Sequence, residues 1–168
     1  EALRHPTPAK VFVNGEGLRY LGRSYRLLFV DNQDVPVKLT GGRFRVRRSD
    51  ATRAREHMVA WYTLHGEAWI SARLSRFCAR VGVTVEDLHV KDLGYRWGSC
   101  GSRGALNFHW KTILLPPRII DYIIVHELVH IHEPHHTPAF WTRVERVLPD
   151  FPVRKEWLAS NGETETNW

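Results

Sequence analysis

The segment from Pro117 to Glu133 constrains the fold of this chain more than any other part of the sequence. It begins with a proline, continues through a largely apolar stretch, and contains His126-Glu127-Leu128-Val129-His130. A proline suits the first turn of a helix, and the apolar spacing predicts that the helix is buried. Histidines four residues apart lie on one helix face, so both can bind a single metal ion. The sequence therefore predicts a buried helix that carries a metal site.

The glutamate between these histidines indicates what kind of metal site this is. Glu127 projects toward the same open side as the imidazoles, where it can take a proton from a zinc-bound water. A structural zinc site has four protein ligands, whereas a catalytic site has three and keeps an open position. We therefore predict a catalytic zinc site in which His126 and His130 bind the metal and Glu127 is the general base.

The third zinc ligand must come from elsewhere in the chain. His136 follows His130 by six residues and lies just after Pro134, where we expect the helix to stop and the chain to fold back under the metal. Its neighbour His135 is an alternative, and the more distant Glu145 is another. The order of preference is His136, then His135, then Glu145.

One class of zinc peptidase can be excluded from the residues. The interval to His136 equals that of the metzincin pattern HExxHxxGxxH, but Glu133 stands where the glycine should be. Metzincins also need a methionine turn downstream, and Met58, which lies far upstream, is the one methionine of the chain. The sequence is therefore not that of a metzincin.

Further motifs extend the pattern on both sides of the helix. They are Tyr95-Arg96-Trp97-Gly98-Ser99-Cys100, Leu106-Asn107-Phe108-His109-Trp110, Leu114-Leu115-Pro116-Pro117, and the segment from His126 to Trp141. With these motifs the sequence resembles the YgjP-like metallopeptidases, minimal zincins related to the SprT-like proteases and to the yeast protease that removes DNA–protein crosslinks. The resemblance spans residues 10–162 and implies that His136 is the third ligand. The sequence departs from the family at His135 and His109, where asparagine is usual.

Hydrophobic periodicity and turn residues predict the elements around this site. Strands are expected near 18–21, 25–30, 36–39 and 43–48, then at 88–96 and 105–114. A long helix is expected to be capped by Ser49-Asp50 and to end at Gly82. The active-site helix should be followed by a helix that starts at Thr137-Pro138, and then by a short one at Val153–Ser160.

The fold class is therefore α+β and, from the resemblance, a minimal zincin. We expect N-terminal β-hairpins in a small antiparallel sheet, a long helix, the active-site helix and C-terminal helices. The chain should form a single domain over 1–168. Its parts are a basic, β-rich region at 10–48, a helical zincin core with an edge strand at 49–162, and a loose tail at 163–168.

The predicted activity is hydrolysis of peptide bonds by a zinc-dependent metallopeptidase. In zincins an edge strand aligns the peptide by main-chain pairing, and Leu106–Trp110 is the candidate strand here. Arg96, Asn107 and His109 are candidates for substrate binding and for support of the oxyanion. Two alternatives are a nucleotide phosphohydrolase, a label that some family members carry, and a DNA-associated zinc binding module. Mg²⁺ chemistry would require carboxylates rather than imidazoles, and a structural module would not need Glu127.

Cysteine usage and hydropathy bear on the cellular compartment. The chain has 168 residues, enough for one sizeable core, and no apolar run approaches a membrane span. Cys78 and Cys100 form no CxxC pair, which favours a reducing cytoplasm. Cys100 lies in the Trp97-to-Cys100 motif, and we interpret it as a buried, inert thiol rather than a metal ligand.

Positive charge is concentrated in the N-terminal third. Residues 1–58 contain 12 Lys or Arg and 6 Asp or Glu, a balance of +6, which equals the net charge of the whole chain. Arg43, Arg45 and Arg47 alternate with apolar residues and form one face of a predicted strand. That face could bind the phosphate backbone of a nucleic acid weakly. The simpler interpretation is a solvated strand face whose charges discourage aggregation.

Overall fold

A computed structural model describes residues 9–168. Over this part of the chain the backbone forms two small sheets and four α-helices, which confirms the predicted α+β class. None of the helices described there is long and apolar enough to cross a membrane. The strands are β1 (Gly17–Tyr20), β2 (Arg23–Val30), β3 (Val37–Thr40), β4 (Arg43–Arg47), β5 (Asp87–Lys91), β6 (Gly98–Cys100) and β7 (Ala105–His109). The helices are α1 (Ala54–Val81), α2 (Pro117–Val129), α3 (Pro138–Val147) and α4 (Phe151–Glu165).

The N-terminal sheet is mixed, whereas the sequence suggested an antiparallel one. Its strand order is β1-β2-β4-β3, and its hairpins β1–β2 and β3–β4 are antiparallel. The central pair β2–β4 is parallel. This happens because β3 lies at the outer edge, so that β4 returns into the gap beside β2 and runs in the same direction. The inner face buries Leu27, Phe44 and Val46.

Helix α1 begins later than predicted and ends where predicted. A 3₁₀ turn at Arg48–Arg53 precedes it, and the turn makes no side-chain cap. Asp50 does not cap the helix, because its carboxylate binds Arg47 Nε at 2.7 Å and lies 3.4 Å from His57 Nε2. Gly82 ends the helix in the left-handed region at φ 80°, a conformation that glycine adopts without strain.

The second sheet has the order β5-β7-β6. Strand β7 pairs in parallel with β5 and in antiparallel with β6, so it has a neighbour on each side. The prediction that Leu106–Trp110 is an edge strand is therefore wrong. The chain doubles back through the turn at Ser102–Gly104, which places the short strand β6 at the edge instead. Residues Trp110–Leu114, predicted as strand, form a 3₁₀ turn.

The C-terminal helices close the fold over the active-site helix. Helix α2 starts at Pro117 as predicted and ends at Val129, earlier than the predicted Glu133. Helix α3 starts as predicted, with Thr137 Oγ1 accepting a hydrogen bond from Phe140 N at 3.4 Å.

Helix α4 is longer than predicted, and the loose tail predicted at 163–168 is not observed. The helix continues to Glu165, whose carboxylate binds Arg19 Nε at 2.6 Å. Thr166 is buried, and the Trp168 ring packs against Phe12, Tyr62 and Trp110. The residues of this segment are mostly polar, and the contacts of the Trp168 ring hold its end against the core.

Candidate metal centre

The active-site helix is fixed in place by its buried faces and by one ion pair. Nearly all of α2 is buried, as its apolar sequence requires. Asp121, which is 7% exposed, accepts two hydrogen bonds from Arg73 of α1, at 2.9 and 3.0 Å. This bidentate pair fixes the position of α2 along α1. His126 and His130 lie at the C-terminal end of α2, where the helix reaches the surface.

The chain turns back after α2 through contacts made by Glu133. The Glu133 carbonyl lies 3.1 Å from His130 Nδ1, which must be the donor because a carbonyl accepts only. This bond fixes the tautomer, so that in neutral His130 the Nε2 lone pair is free for a metal. The Glu133 carboxylate binds Arg143 Nε of α3 at 3.2 Å. The return of the chain is thus tied both to a metal ligand and to the next helix.

Three imidazole nitrogens meet at one point. His136 Nε2 lies 2.9 Å from His126 Nε2 and 3.1 Å from His130 Nε2. Ligands around a tetrahedral zinc ion lie about 3.3 Å apart, given Zn–N distances of about 2.0–2.1 Å. Lone pairs that face one another repel, and a cation between them removes that cost. The donor set of these three residues therefore fits a zinc ion.

The alternatives for the third ligand are not part of this cluster. Across residues 9–168, the ligating atoms that group within 4.8 Å of one another are those of His126, His130 and His136. His135 is exposed and contributes its carbonyl to the turn, which accepts from Thr137 N at 2.8 Å. Glu145 is exposed on α3. The structure therefore brings together the three histidines that were ranked first.

Two aromatic residues of α3 support the histidines. Phe140 is fully buried and contacts all three imidazoles, at centroid distances of 4.6 to 5.1 Å. The Trp141 ring stacks against His126 and His136, and Lys155 lies 4.3 Å above it. The signal in the sequence was their position four and five residues after His136, which helical periodicity alone does not distinguish from ordinary packing.

Glu127 occupies a buried position beside the histidines. The residue is 6% exposed, and the backbone of β6 approaches so closely that a Cβ at Gly98 would lie 2.9 Å from Glu127 Cγ. Burial raises the pKa of Glu127 to about 7, and the positive charge of Arg96 opposes this shift. A carboxyl group with a pKa near neutrality can both accept and release a proton, as a general base and acid must.

Two of the three histidines, His126 and His136, are held in the neutral form that a metal ligand needs. Burial lowers the pKa of His126 to about 3, with smaller contributions from the charges of His130 and His136. Burial, followed by the charge of His130, also lowers the pKa of His136. His126 Nδ1 lies 3.5 Å from Glu127 Oε1, and because His126 is neutral this contact is not an ion pair.

The three imidazoles that could bind a metal open into a cleft of about 980 Å³, called here the metal cleft. Its walls are β6 with the turn that follows it, the end of α2 and the return segment up to His136. Within the described residues β6 pairs with β7 alone, so one edge of β6 has free main-chain groups. Cys100 of β6 lines the cleft outside the histidine cluster, and burial, then the charge of Glu127, raises the pKa of its thiol.

The three predicted substrate-binding residues lie in different places. Arg96 is exposed and lines the metal cleft. Asn107 is in the middle strand β7, where its amide donates to Ser99 Oγ at 3.2 Å. His109 is buried, with its ring nitrogens 3.2 Å from Asp92 Oδ1 and 3.1 Å from Lys111 N. The structure thus places Arg96 at the cleft, whereas Asn107 and His109 make structural hydrogen bonds outside its lining.

The arginines of β4, called here the arginine strand, lie on the outer face of the N-terminal sheet. Arg47 binds Asp50 at 2.7 Å, so its guanidinium group already has an acidic partner. Arg43 is exposed and stands directly opposite Arg26 of β2. Arg45 Nε donates a hydrogen bond to the Thr40 carbonyl at 3.5 Å. The face remains basic, but it offers two arginines, Arg43 and Arg45, rather than the three that were predicted.

Comparisons with known proteins identify the fold and the family of this chain. A search of curated proteins gives no match. One similar solved structure is the crystal structure of the metallopeptidase zymogen of Pyrococcus abyssi abylysin, with a TM-score of 0.50 and 18% identity over 55% of this chain and 95% of that chain. At this identity the likeness concerns the fold alone. The family model for the YgjP-like metallopeptidase domain matches residues 1–161. The chain therefore belongs to the YgjP-like metallopeptidase domain family.

Proposed function

We propose that this protein is a zinc-dependent metallopeptidase that hydrolyses peptide bonds, with Glu127 as general base. The observation that carries the proposal is the convergence of three imidazole Nε2 atoms, two pairs of them at 2.9 and 3.1 Å, beside a buried carboxyl group. Three ligands leave a coordination position open for catalysis. Membership in a metallopeptidase family supports the same conclusion.

The residues of the chain divide the work in the following way. His126, His130 and His136 would hold zinc, which when bound makes water a nucleophile near neutral pH and polarises a carbonyl oxygen. Glu127 accepts a proton from the attacking water and passes it to the leaving nitrogen. Its burial keeps bulk water away from this proton and places its pKa near neutrality. Arg96 lines the cleft with a positive charge that favours an anionic transition state.

The peptide would be aligned by β6 rather than by β7. The free edge of β6 offers main-chain donors and acceptors to an extended peptide, which would add as a further strand. The close approach of β6 to Glu127 at Gly98 would bring the scissile bond of such a peptide to the general base. This replaces the strand that the sequence suggested for the same task.

The direct test is hydrolysis of casein and of unstructured peptides by zinc-loaded protein and by its Glu127→Gln variant. The amide has nearly the shape of the carboxylate but cannot take the proton, so the rate should fall by roughly 10²- to 10⁴-fold while zinc content stays at one per chain. Glu67→Gln, an exposed glutamate of α1, is the matched control and should retain full activity. Cleavage that survives Glu127→Gln would exclude the mechanism.

The same preparation tests the nucleotide phosphohydrolase alternative. The cluster offers three imidazoles, whereas Mg²⁺ in phosphohydrolases prefers carboxylate oxygens and waters. We therefore expect release of phosphate from UTP to stay at background with zinc or magnesium. Turnover of UTP that depends on Glu127 would favour the alternative. The third possibility is a zinc binding module without catalysis. It predicts that the unmodified protein and the Glu127→Gln variant both stay at background in the peptide and UTP assays.

A further inference from the structure

A second cavity of about 490 Å³ lies next to the metal cleft, and nothing in the mechanism uses it. It is bounded by the segment 94–97, by the end of β7 with Lys111, and by α4. Arg96 lines both this cavity and the metal cleft, so the two spaces meet at its side chain. We propose that this second cavity binds a carboxylate group of the peptide substrate and thereby determines where the peptide is cut. The inference rests on the proposed peptidase function and adds a substrate class to it.

Two cations on the cavity wall form no ion pair within the described residues, although Asp92 acts electrostatically on Lys111 and Glu127 on Arg96. In residues 9–168 neither Arg96 nor Lys111 makes an ion pair with a carboxylate within 4.0 Å; the Lys111 ammonium lies 5.8 Å from the centre of the Trp110 ring. Burial and the charge of Arg55 lower the pKa of Lys111. A half-buried ammonium in this situation gains stability from an anion that enters the cavity. By contrast, Arg19, which lines another cavity, binds the Glu165 carboxylate at 2.6 Å.

The cavity wall is rigid enough to discriminate between ligands. The Trp97 carbonyl accepts a hydrogen bond from His109 N at 2.8 Å, which ties the segment 94–97 to β7. On the other side Trp97 packs into the space left by Gly162 of α4, where a Cβ would lie 2.9 Å from the ring. Pockets of roughly 300–1,000 Å³ hold small ligands, so the cavity has room for an acidic side chain or a chain terminus.

The acidic residue Glu163 of α4 also lies on the cavity wall, where its charge opposes the binding of a carboxylate. The lining residues Arg96, Lys111 and Glu163 together carry one positive charge, and Asp92 acts on Lys111 from outside the lining. Burial lowers the pKa of His109, which keeps that ring neutral. Removing Glu163 should therefore strengthen the binding of a carboxylate, and removing Lys111 should weaken it. Few structural roles would respond to the two changes in opposite directions.

The test measures binding without turnover. Zinc-loaded Glu127→Gln protein is titrated by NMR with acetylated, amidated decapeptides that contain a single Glu, Gln or Lys. A further peptide has no Glu and a free C-terminal carboxylate. We expect the Glu peptide or the free-carboxylate peptide to bind about tenfold more tightly than the Gln peptide, as one charge-assisted hydrogen bond would give. Which of the two binds identifies the source of the carboxylate.

Variants in the same background complete the test. Lys111→Gln should abolish the preference, Lys111→Arg should restore it, and Glu163→Gln should increase it. Lys91→Gln, an exposed lysine of β5 outside the cavity, is the matched control. Equal affinity for Glu and Gln peptides, or a preference that persists in Lys111→Gln, overturns the proposal. Because binding is measured without hydrolysis, a failure to cleave any peptide would count against the proposed function and not against this cavity.

Discussion

The outer face of the N-terminal sheet and the metal cleft differ in how their charged groups are placed. On the sheet, cations lie at the surface and several have partners, such as Lys38 with Asp34 at 2.7 Å and Arg48 with Asp31 at 3.1 Å. In the cleft, the carboxyl group of Glu127 is buried and forms no ion pair with its neighbour His126, 3.5 Å away, because that ring is neutral. Each exposed ion pair contributes about 0–1 kcal/mol to the stability of the fold. The burial of Glu127 instead raises the pKa of its carboxyl group to about 7.

The difference shows where this chain gives up stability for chemistry. A surface ion pair can be removed at little cost, because water replaces the partner. A buried, unpaired carboxyl group costs free energy whenever it is ionised, and it persists here because α2 and β6 fix it in place. The two regions should therefore respond very differently to substitution and to pH.

The largest effect is expected from removing a ligand in the cleft. His136→Ala should lose stoichiometric zinc, because two imidazoles from one helix cannot complete the site. The measurement is metal content after dialysis against a weak chelator, and His135→Ala is the matched control and should keep one zinc per chain. Retention of zinc with unchanged affinity in His136→Ala would transfer the role to His135 or Glu145.

A second effect concerns the stability of the metal-free protein as a function of pH. The pKa of Glu127 rises from 4.5 to about 7 on folding, so the folded state binds a proton that the unfolded state has released. The contribution of Glu127 to stability is therefore constant below pH 4.5 and falls as pH rises toward 7, by about 3 kcal/mol for a shift of this size. The Glu127→Gln variant lacks this titrating carboxyl group, and we expect the other titratable groups of the protein to be the same in both proteins.

The measurement is the urea midpoint of chelated protein and chelated Glu127→Gln between pH 4 and pH 8. The two stabilities should agree at pH 4, and the variant should be more stable at pH 8. Parallel curves across this range would mean that Glu127 titrates as an ordinary surface carboxyl group, and the contrast between cleft and sheet would not hold.

The same contrast explains which features could be predicted from the sequence. The ligand spacing of His126 and His130 is local, because a helix places residues four apart on one face. The return to His136 could be expected from the helix stop near Pro134. Strand order could not be predicted, because pairing of β7 depends on where β6 returns, and alternation in a strand says nothing about its neighbours.

Partners of surface charges were equally hidden from the sequence. Arg47 and Asp50 are three residues apart, but their contact depends on the 3₁₀ turn that follows β4. Trp168 was assigned to a polar tail, although its ring packs against Tyr62 at 5.4 Å. In both cases the deciding neighbour is set by tertiary structure, which neither local composition nor hydrophobic periodicity records.

The smallest effect is expected on the outer face of the sheet, where we propose weak binding of single-stranded nucleic acid. Arg43 stands directly opposite Arg26, and like charges in this position repel unless an anion lies between them. Two phosphate contacts by Arg43 and Arg45 would give a log–log salt dependence with a slope of roughly −1.4, because each releases counterions from a single strand. Arg47 should contribute little, since Asp50 already binds it.

Fluorescence anisotropy with a labelled oligothymidine at increasing salt measures this slope. The double reversal Arg43→Glu with Arg45→Glu should abolish binding while zinc content is unchanged. The double reversal Arg76→Glu with Arg146→Glu, at exposed positions on α1 and α3, changes the net charge equally and should leave the slope in place. If both double variants lose binding alike, the attraction is due to net charge and not to this strand. If neither does, the arginine face is a solvated sheet surface, and the paired charges of the sheet are then purely structural.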